Sequence, residues 1–486
     1  MNWYSIYKNE WKEIIETVAS EEKRSNTIVE KIRYNKIEKK VEFYQKGDFV
    51  MIDRPKYLKQ LIENKENGFP KVITGIRRCG KSSLLKDIYY EYLLSIGVSK
   101  KNIIIIELDS IENTKYHDPF ELNDYVLNKC KDDSMHYVFI DEIQLVDTII
   151  NPIYTNGKHI IAGKEDKDVV GFVEVVLGLS RKKNIDLYVT GSNSKMLSSD
   201  IVTEFRDKAT NIHMYPLSFE EFYNYKGGYK TETFEEFLKY GGMPLAVLKN
   251  NEQDKKEYLI NLFETTYYKD ILEHNHLNKT ESLDELCCIL SNECGHLINS
   301  EKIANTYKTK KRENIDKETV TRYINFFVDA FILAPVERYD VKGKNRIGAL
   351  RKYYFIDNGL RNAKLNFSSI DEGQMLENLV YNELIYNGYT VNVGVYDKVE
   401  KNRENVSVKK TYEIDFLAKK GNREYYIQVS TDLSSEETKN RELKPYISLR
   451  DQIQKIVVIN RPIDETRDSN GFTIIGIVDF VLRFIK

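Results

Sequence analysis

Cysteine is scarce and odd in number, five in 486 residues and widely scattered, which excludes a disulfide framework as the organising principle. Long apolar runs are also missing. No stretch approaches the roughly eighteen apolar residues that a membrane-spanning helix needs. The amino terminus, MNWYSIYKNEWKEIIE, has no basic start followed by an apolar stretch and so does not read as a secretory leader. An excess of one charge is lacking as well: 73 Lys and Arg stand against 75 Asp and Glu, a net charge of -2. Nothing pulls the whole chain toward nucleic acid, so any such contact must come from a local patch. There is no internal repeat and no low-complexity linker. What remains is a globular balance, 41% apolar and 30% charged, in a chain whose length predicts roughly two to four domains. A soluble, cytoplasmic protein without membrane attachment is the expectation.

Residues 1–48 read as a polar, partly helical extension with little core-forming material. From Met51 the texture changes. KVITG (71–75), NIIIIELD (102–109), HYVFIDE (136–142) and IDLYVTGS (185–192) are short, nearly continuous β-branched runs. Strands buried on both faces of a parallel sheet look like this, and the amphipathic stretches between them supply the helices. The polar stretch NPIYTNGKHIIAGKEDKD between the last two runs reads as a surface loop or hairpin. After YPLSFEEFYNY (215–225) the pattern is helical. From about Leu283 helices alternate toward a closing strand pair, and from about Gly373 the order is helix, three strands, helix, strand.

GIRRCGKS (75–82) fits G-x-x-x-x-G-K-[ST] between an apolar strand and a helix, the context that makes the pattern a phosphate site. Gly75 and Gly80 let the backbone wrap so that successive N–H groups face a β-phosphate. The helix beginning at Lys81 aims its positive end at the same place. Lys81 is expected to reach the β- and γ-phosphates and Ser82 to ligate Mg²⁺. Arg77, Arg78, Cys79 and Ser83 complete the cradle. The two arginines either touch phosphate or a neighbouring subunit, or are simply solvated. Cys79 reads as a small filler, since no activating His is evident nearby.

YVFIDE (137–142) ends a buried strand at the carboxyl edge of the sheet, where ligands bind in open α/β sheets. Asp141 is expected to hold Mg²⁺ through water, and Glu142 to polarise the attacking water as general base. TGSNSKML ends a third strand, where Ser192 or Asn193 either orients the lytic water beside the γ-phosphate or serves only as a turn.

Together VITGIRRCGKSSLL, YVFIDEIQ, YVTGSNSKMLSSDI, the FR-x-K stretch, YPLSFEEF, YGGMP and YYKDI resemble the bacterial and archaeal AAA-like ATPases in which a P-loop domain precedes a conserved domain of unknown function. The resemblance covers nearly everything after Met51. It implies a P-loop NTPase parallel sheet (49–225), a helical lid (226–282), a winged-helix segment (283–366) and an α/β restriction-endonuclease-like domain (367–486). ATP as the nucleotide is implied by the family; no N-K-x-D of the GTPases stands in the right place. The family pattern has Arg at the positions of both Arg206 and Lys208. Lys208 keeps the charge but loses the planar fork, so Arg206 is the candidate arginine finger or sensor, and a homo-oligomer is the implied setting.

In SEKIANTYKTKKRENIDKETVTRYINFF the cations Lys302, Lys308, Lys310, Lys311, Arg312, Lys317 and Arg322 either neutralise DNA phosphates or line a solvated or protein-docking face. Cys287, Cys288, Cys294 and His296 match no common zinc spacing and read as buried apolar residues. In the last part Glu377 lies on a helix, Glu413 and Asp415 on a strand, and Gln428 and Ser430 on the next. This resembles a nuclease site of helix Glu, strand Asp and Glu-x-Lys that holds divalent metal. Gln428 and Ser430 replace a carboxylate and an ammonium, so the expectation is a degenerate scaffold.

Overall fold

Four short apolar runs and one mostly polar segment, Thr210–His213, give the first sheet. In the computed structural model the strands are β1 (Lys71–Thr74), β2 (Ile103–Glu107), β3 (His136–Asp141), β7 (Ile185–Gly191) and β8 (Thr210–His213). The structure describes residues 51–163, 165–192, 208–275, 277, 281–311, 315–368, 371–401, 406–433, 435–447, 449 and 451–486. Their spatial order is β2-β3-β7-β1-β8, and every pairing is parallel. All six residues of β3 and all seven of β7 are buried, as continuous β-branched runs require when both faces are covered.

Alternation along each strand feeds two different cores. Val138 and Ile140 of β3 join Leu187 and Val189 of β7 beneath Leu122, Val126, Val176 and Leu179 of the helices Pro119–Lys129 and Phe172–Ser180. Phe139 and Tyr188 face the other way and pack on Tyr89, with ring centroids 5.9 and 5.0 Å from it. Tyr89 belongs to the helix that follows the P-loop, 81–95, whose Leu84–Tyr89 portion is π-helical. Asp118 caps Pro119–Lys129 by accepting from the Phe120 N–H at 2.8 Å, and a proline at the first turn loses nothing there.

The stretch after β3, expected as a surface loop or hairpin, takes the hairpin form with a third strand added. β4 (Ile149–Ile150), β5 (Ile160–Ile161) and β6 (Val169–Val170) make a small antiparallel sheet with β4 in the middle. Its segments are only two residues long, too short for a periodic signal.

Beyond β8 come the helices Phe219–Lys226, Lys230–Tyr240, Pro244–Val247 and a long one over 252–274 with a π-helical middle, Leu262–Tyr268. The rest is mixed α/β. Helix Glu281–Asn292, β9 (Leu297–Ile298), helices Ser300–Thr306 and Lys317–Asp329 and the hairpin β10 (Leu333–Asp340) and β11 (Asn345–Phe355) follow in order. Then helix Glu372–Tyr386 leads into β12 (Thr390–Lys401), β13 (Ser407–Lys420) and β14 (Arg423–Ser430). Helix Glu436–Ile447, β15 (Gln454–Ile459), β16 (Thr466–Arg467), β17 (Thr473–Gly476) and a last helical segment over 477–484 close the chain. β10 pairs parallel to β12 through Arg338–Asp340 and Val393–Val395, so one nine-stranded sheet runs β16-β17-β15-β14-β13-β12-β10-β11-β9.

The YGGMP and FIDNGL segments join these halves. Asp357 accepts from the Gly242 N–H at 2.6 Å, and any Cβ on Gly241 (φ +69°) would collide with its carboxylate. Asn358 donates to the carbonyls of Leu238 (3.1 Å) and Met375 (3.0 Å), bridging the two sides. Burial pushes the Asp357 carboxyl up to about 6 against the backbone N–H groups that lower it. Nearby, Glu383 accepts from the Phe219 N–H at 2.6 Å, its other oxygen has no partner among the described residues, and burial raises it to about 7. Among the described residues no helix is long and apolar enough to cross a membrane.

Candidate nucleotide site

β1 ends at Thr74, and the chain turns at once. Gly75 adopts φ +145°, where a Cβ would strike the Met214 carbonyl, and Gly80 adopts φ +101° as the residue before the helix. Only glycine enters both positions freely. The loop is held from below. The buried Arg54 guanidinium donates to the Cys79 carbonyl at 3.0 Å and the Tyr215 carbonyl at 2.6 Å, and pairs with Glu221 at 3.1 Å. Glu221 also closes a capping box with Ser218, so YPLSFEEF starts a helix and braces the P-loop together. Cys79 is buried, as a filler should be, with its thiol 3.5 Å from the Met214 carbonyl.

Lys81 opens the helix, is 4% exposed, and donates to the carbonyls of Gly75 (3.0 Å) and Ile76 (3.1 Å). Ser82 and Ser83 share its first turn. Arg78 is exposed and left-handed (φ 66°), whereas the half-buried Arg77 turns to Asp270. At the end of β8, burial first and then the charges of Lys81 and Lys56 hold the His213 imidazole down at about 4, hence neutral.

Asp141 and Glu142 stand two strands away, with β7 between. Thr190 of β7 ties them together. Its hydroxyl donates to Asp141 and accepts from the Glu142 N–H at 3.0 Å. The Asp141 carboxylate also lies 3.4 Å from the Lys86 ammonium, which pairs with Glu107. Partial burial works against the Lys86 charge, but Glu107 and Asp141 outweigh it and raise its pKa. Glu142 has φ 56°, uncommon for a side-chain-bearing residue, and its carboxylate accepts from Ser192 at 3.1 Å and from Gln144. Asn193 and Arg206 lie outside the described residues.

A cleft of about 350 Å³ opens above these groups. Arg77, Glu142 and Ser192 line its floor; Tyr267 and Asp270 of the 252–274 helix and Phe326 of Lys317–Asp329 line its roof. The roof thus belongs to the part of the chain after the first sheet.

Residues 67–223 match an AAA domain, and residues 231–371 match a domain of unknown function, DUF8612. An uncharacterized protein of Haemophilus influenzae is 30% identical over 441 residues, 89% of this chain and 99% of that one. An uncharacterized protein of Methanocaldococcus jannaschii is 30% identical over 403 residues, 80% and 79% of the two chains. The chain belongs to the same family as both. Among solved structures, the Aeropyrum pernix ORC1 protein in complex with DNA matches 65% of this chain and 92% of that one. Its identity is 10% and its TM-score 0.26.

The AAA domain therefore contains the P-loop, both strand-end acids and Thr190. Beyond it, the sequence-predicted acids of the C-terminal sheet do come together, but around a cation. Lys352 of β11, 3% exposed, lies 3.1 Å from Glu377 and 2.9 Å from Glu413. Tyr354 donates to Glu377 at 2.5 Å. Burial raises the Asp415 carboxyl, and the charge of Glu377 adds to it; its oxygen accepts from the Val429 N–H at 2.8 Å. Gln428 donates to Glu442 at 3.1 Å and Ser430 to the Asp432 carbonyl at 2.9 Å. Among the described residues no group of three or more His, Cys, Asp or Glu is arranged to hold a metal. Cys287 and Cys294 are buried, and Cys294 is 3.2 Å from the Asn378 amide oxygen.

Lys86, Thr190, Arg54 and Lys352 are what sequence reasoning missed. Arg54, directly before a proline and within one helix of the P-loop, and Thr190, the first residue of TGSNSKML, left a local signal.

Proposed function

We propose that the chain is a Mg²⁺-dependent ATPase whose nucleotide state is passed to its C-terminal half. The observation that carries this reading is the bonding of Thr190 and Ser192 to Asp141 and Glu142 at the same sheet edge as the Lys81 loop. In this reading the loop amides from Gly75 to Ser83 and the Lys81 ammonium hold the β- and γ-phosphates. Lys81 exchanges two neutral carbonyls for them. Ser82 and, through water, Asp141 would hold the ion; their oxygens suit Mg²⁺, and Asp141 already lies beside the cationic Lys86. Held there, Mg²⁺ would supply charge neutralisation for the triphosphate. Glu142 takes a proton from water as its oxygen attacks the γ-phosphorus, the bond to the bridging oxygen breaks, and ADP leaves. Asn193 orients that water, and Arg206 senses the γ-phosphate from a neighbouring copy.

A second reading, a DNA-responsive ATPase, is favoured by one run of elements. Helix, short strand, two helices and a hairpin over 281–355 follow the order of a winged helix, with Lys302, Lys308, Lys317 and Arg322 exposed. The residues after about 367, helix, three antiparallel strands, helix and parallel strand, follow the order of a restriction-endonuclease core. With Lys352 among its acids that module is read as a non-cleaving scaffold.

Phosphate release with ATP and Mg²⁺ tests the main reading. Wild type should turn over, and both Lys81→Ala and Glu142→Gln should abolish it. Duplex DNA should raise the rate only if the second reading is right. A wild type that binds ATP without turnover under every condition would sink the hydrolase reading in favour of a nucleotide switch that docks a protein partner.

A further inference from the structure

The motif YYKDI (267–271) has no part in the reaction above, yet two of its side chains grip one P-loop residue at both ends. The Tyr267 hydroxyl donates to the Arg77 carbonyl at 2.8 Å. The Asp270 carboxylate receives the Arg77 guanidinium through Nη1, 2.7 Å from one oxygen and 2.8 Å from the other. Tyr267 and Asp270 are three residues apart on one helix, so they share a face and act on Arg77 together.

The surroundings make this pair exchangeable. Among the described residues lining the cleft, Arg77 alone is cationic, while Asp109, Glu142, Asp270 and Asp329 are acidic. A γ-phosphate entering here meets one guanidinium, and that guanidinium is already engaged. The engagement is loose: Arg77 and Asp270 are 41% and 39% exposed, and half-exposed ion pairs are weak. A phosphoryl group offers more charge and several acceptor oxygens to the same planar fork.

We propose that Arg77 reads the γ-phosphate, and that Asp270 and Tyr267 position it for that exchange. The inference rests on the ATPase reading and adds its regulation. When a triphosphate takes the guanidinium, Asp270 loses its partner. The helix carrying it is then free to shift against the roof formed with Phe326 and Ala330. A diphosphate has no oxygens at that place and leaves the pair intact.

The test is hydrogen exchange of residues 262–275 in the full chain, with Mg-ADP or with Mg-adenylyl imidodiphosphate, alongside titration of both nucleotides. The triphosphate analogue, and not ADP, should speed exchange there several-fold. Arg77→Ala should still bind ADP but lose this response, and its preference for the analogue should fall by on the order of tenfold or more. Arg77→Lys, which keeps the charge without the fork, should fall between. Asp270→Asn should exchange fast with no nucleotide added. If wild type binds both nucleotides and exchange is the same with either, or if Arg77→Ala keeps the preference, Arg77 is not the reader. If wild type binds neither, the ATPase reading falls and takes this inference with it.

Discussion

Lys81 in the AAA domain and Lys352 on β11 are both almost fully buried, at 4% and 3% exposure, but their ammonium groups have opposite partners. Lys352 is shared between two carboxylates, Glu377 and Glu413, with Asp415 adding to the field that holds its pKa up against burial. Lys81 leans on two backbone carbonyls of its own loop. Neutral acceptors satisfy N–H groups without a counter-charge, so on the proposed reading an arriving phosphate gains the full attraction. Fixed carboxylates use that charge up. On the proposed reading, a buried lysine is a ligand site in one half of the molecule and a structural tie in the other. The partner's charge, and not burial, tells them apart.

The sharpest way to break the comparison is to remove each ammonium and measure unfolding. Lys352→Ala should cost about 3 kcal/mol, because buried acids are left without a counter-charge. Lys81→Ala should cost about 1 kcal/mol or less while abolishing nucleotide binding. Equal losses in denaturant midpoint would erase the distinction.

Next in size is a pH effect at the junction. Glu383, raised to about 7 when folded, holds its proton where the unfolded carboxyl, near 4.5, has lost it. Its contribution to stability is complete below about pH 4.5 and is lost as pH rises through 7. On the order of 3 kcal/mol should disappear across that window, and Glu383→Gln should abolish the slope. A variant with the wild-type slope would place the effect elsewhere.

Thr190→Val should lower turnover about tenfold with ATP binding little changed, since it frees Asp141 and the Glu142 backbone at once. Unchanged turnover would mean that the two acids need no tie across β7. Tyr354→Phe is the smallest change: loss of one hydrogen bond to Glu377, about 1 kcal/mol by thermal unfolding. No shift would show that Lys352 alone holds that carboxylate.

Four strands of the AAA-domain sheet were readable because each is a nearly continuous apolar run; the edge strand Thr210–His213, with one apolar residue, carried no such signal. KVITG, HYVFIDE and IDLYVTGS became β1, β3 and β7 with the expected residues at their ends. The closing strand pair expected after Leu283 became β10 and β11. The partners were not readable. Lys86 meets Asp141 from the 81–95 helix, and Lys352 meets the helical Glu377 from β11, and neither has a spacing that sequence could encode. The same holds for YYKDI: its residues were visible as a motif, but Arg77 as their target is a product of how the 252–274 helix lies over the loop. The absent lysine at Ser430 was legible; that another lysine fills the acid group was not.

The parallel pairing of Arg338–Asp340 with Val393–Val395 bears on how the chain can be cut. A break between helices Asn358–Lys364 and Glu372–Tyr386 follows the change in sequence texture but severs a sheet. The first fragment would end with β10 open along one side, and the second would begin with β12 open along the other. Unsatisfied strand edges of this kind pair with whatever strand they meet. The pieces are better regarded as complementary halves, fit for reassembly when mixed, than as portable modules.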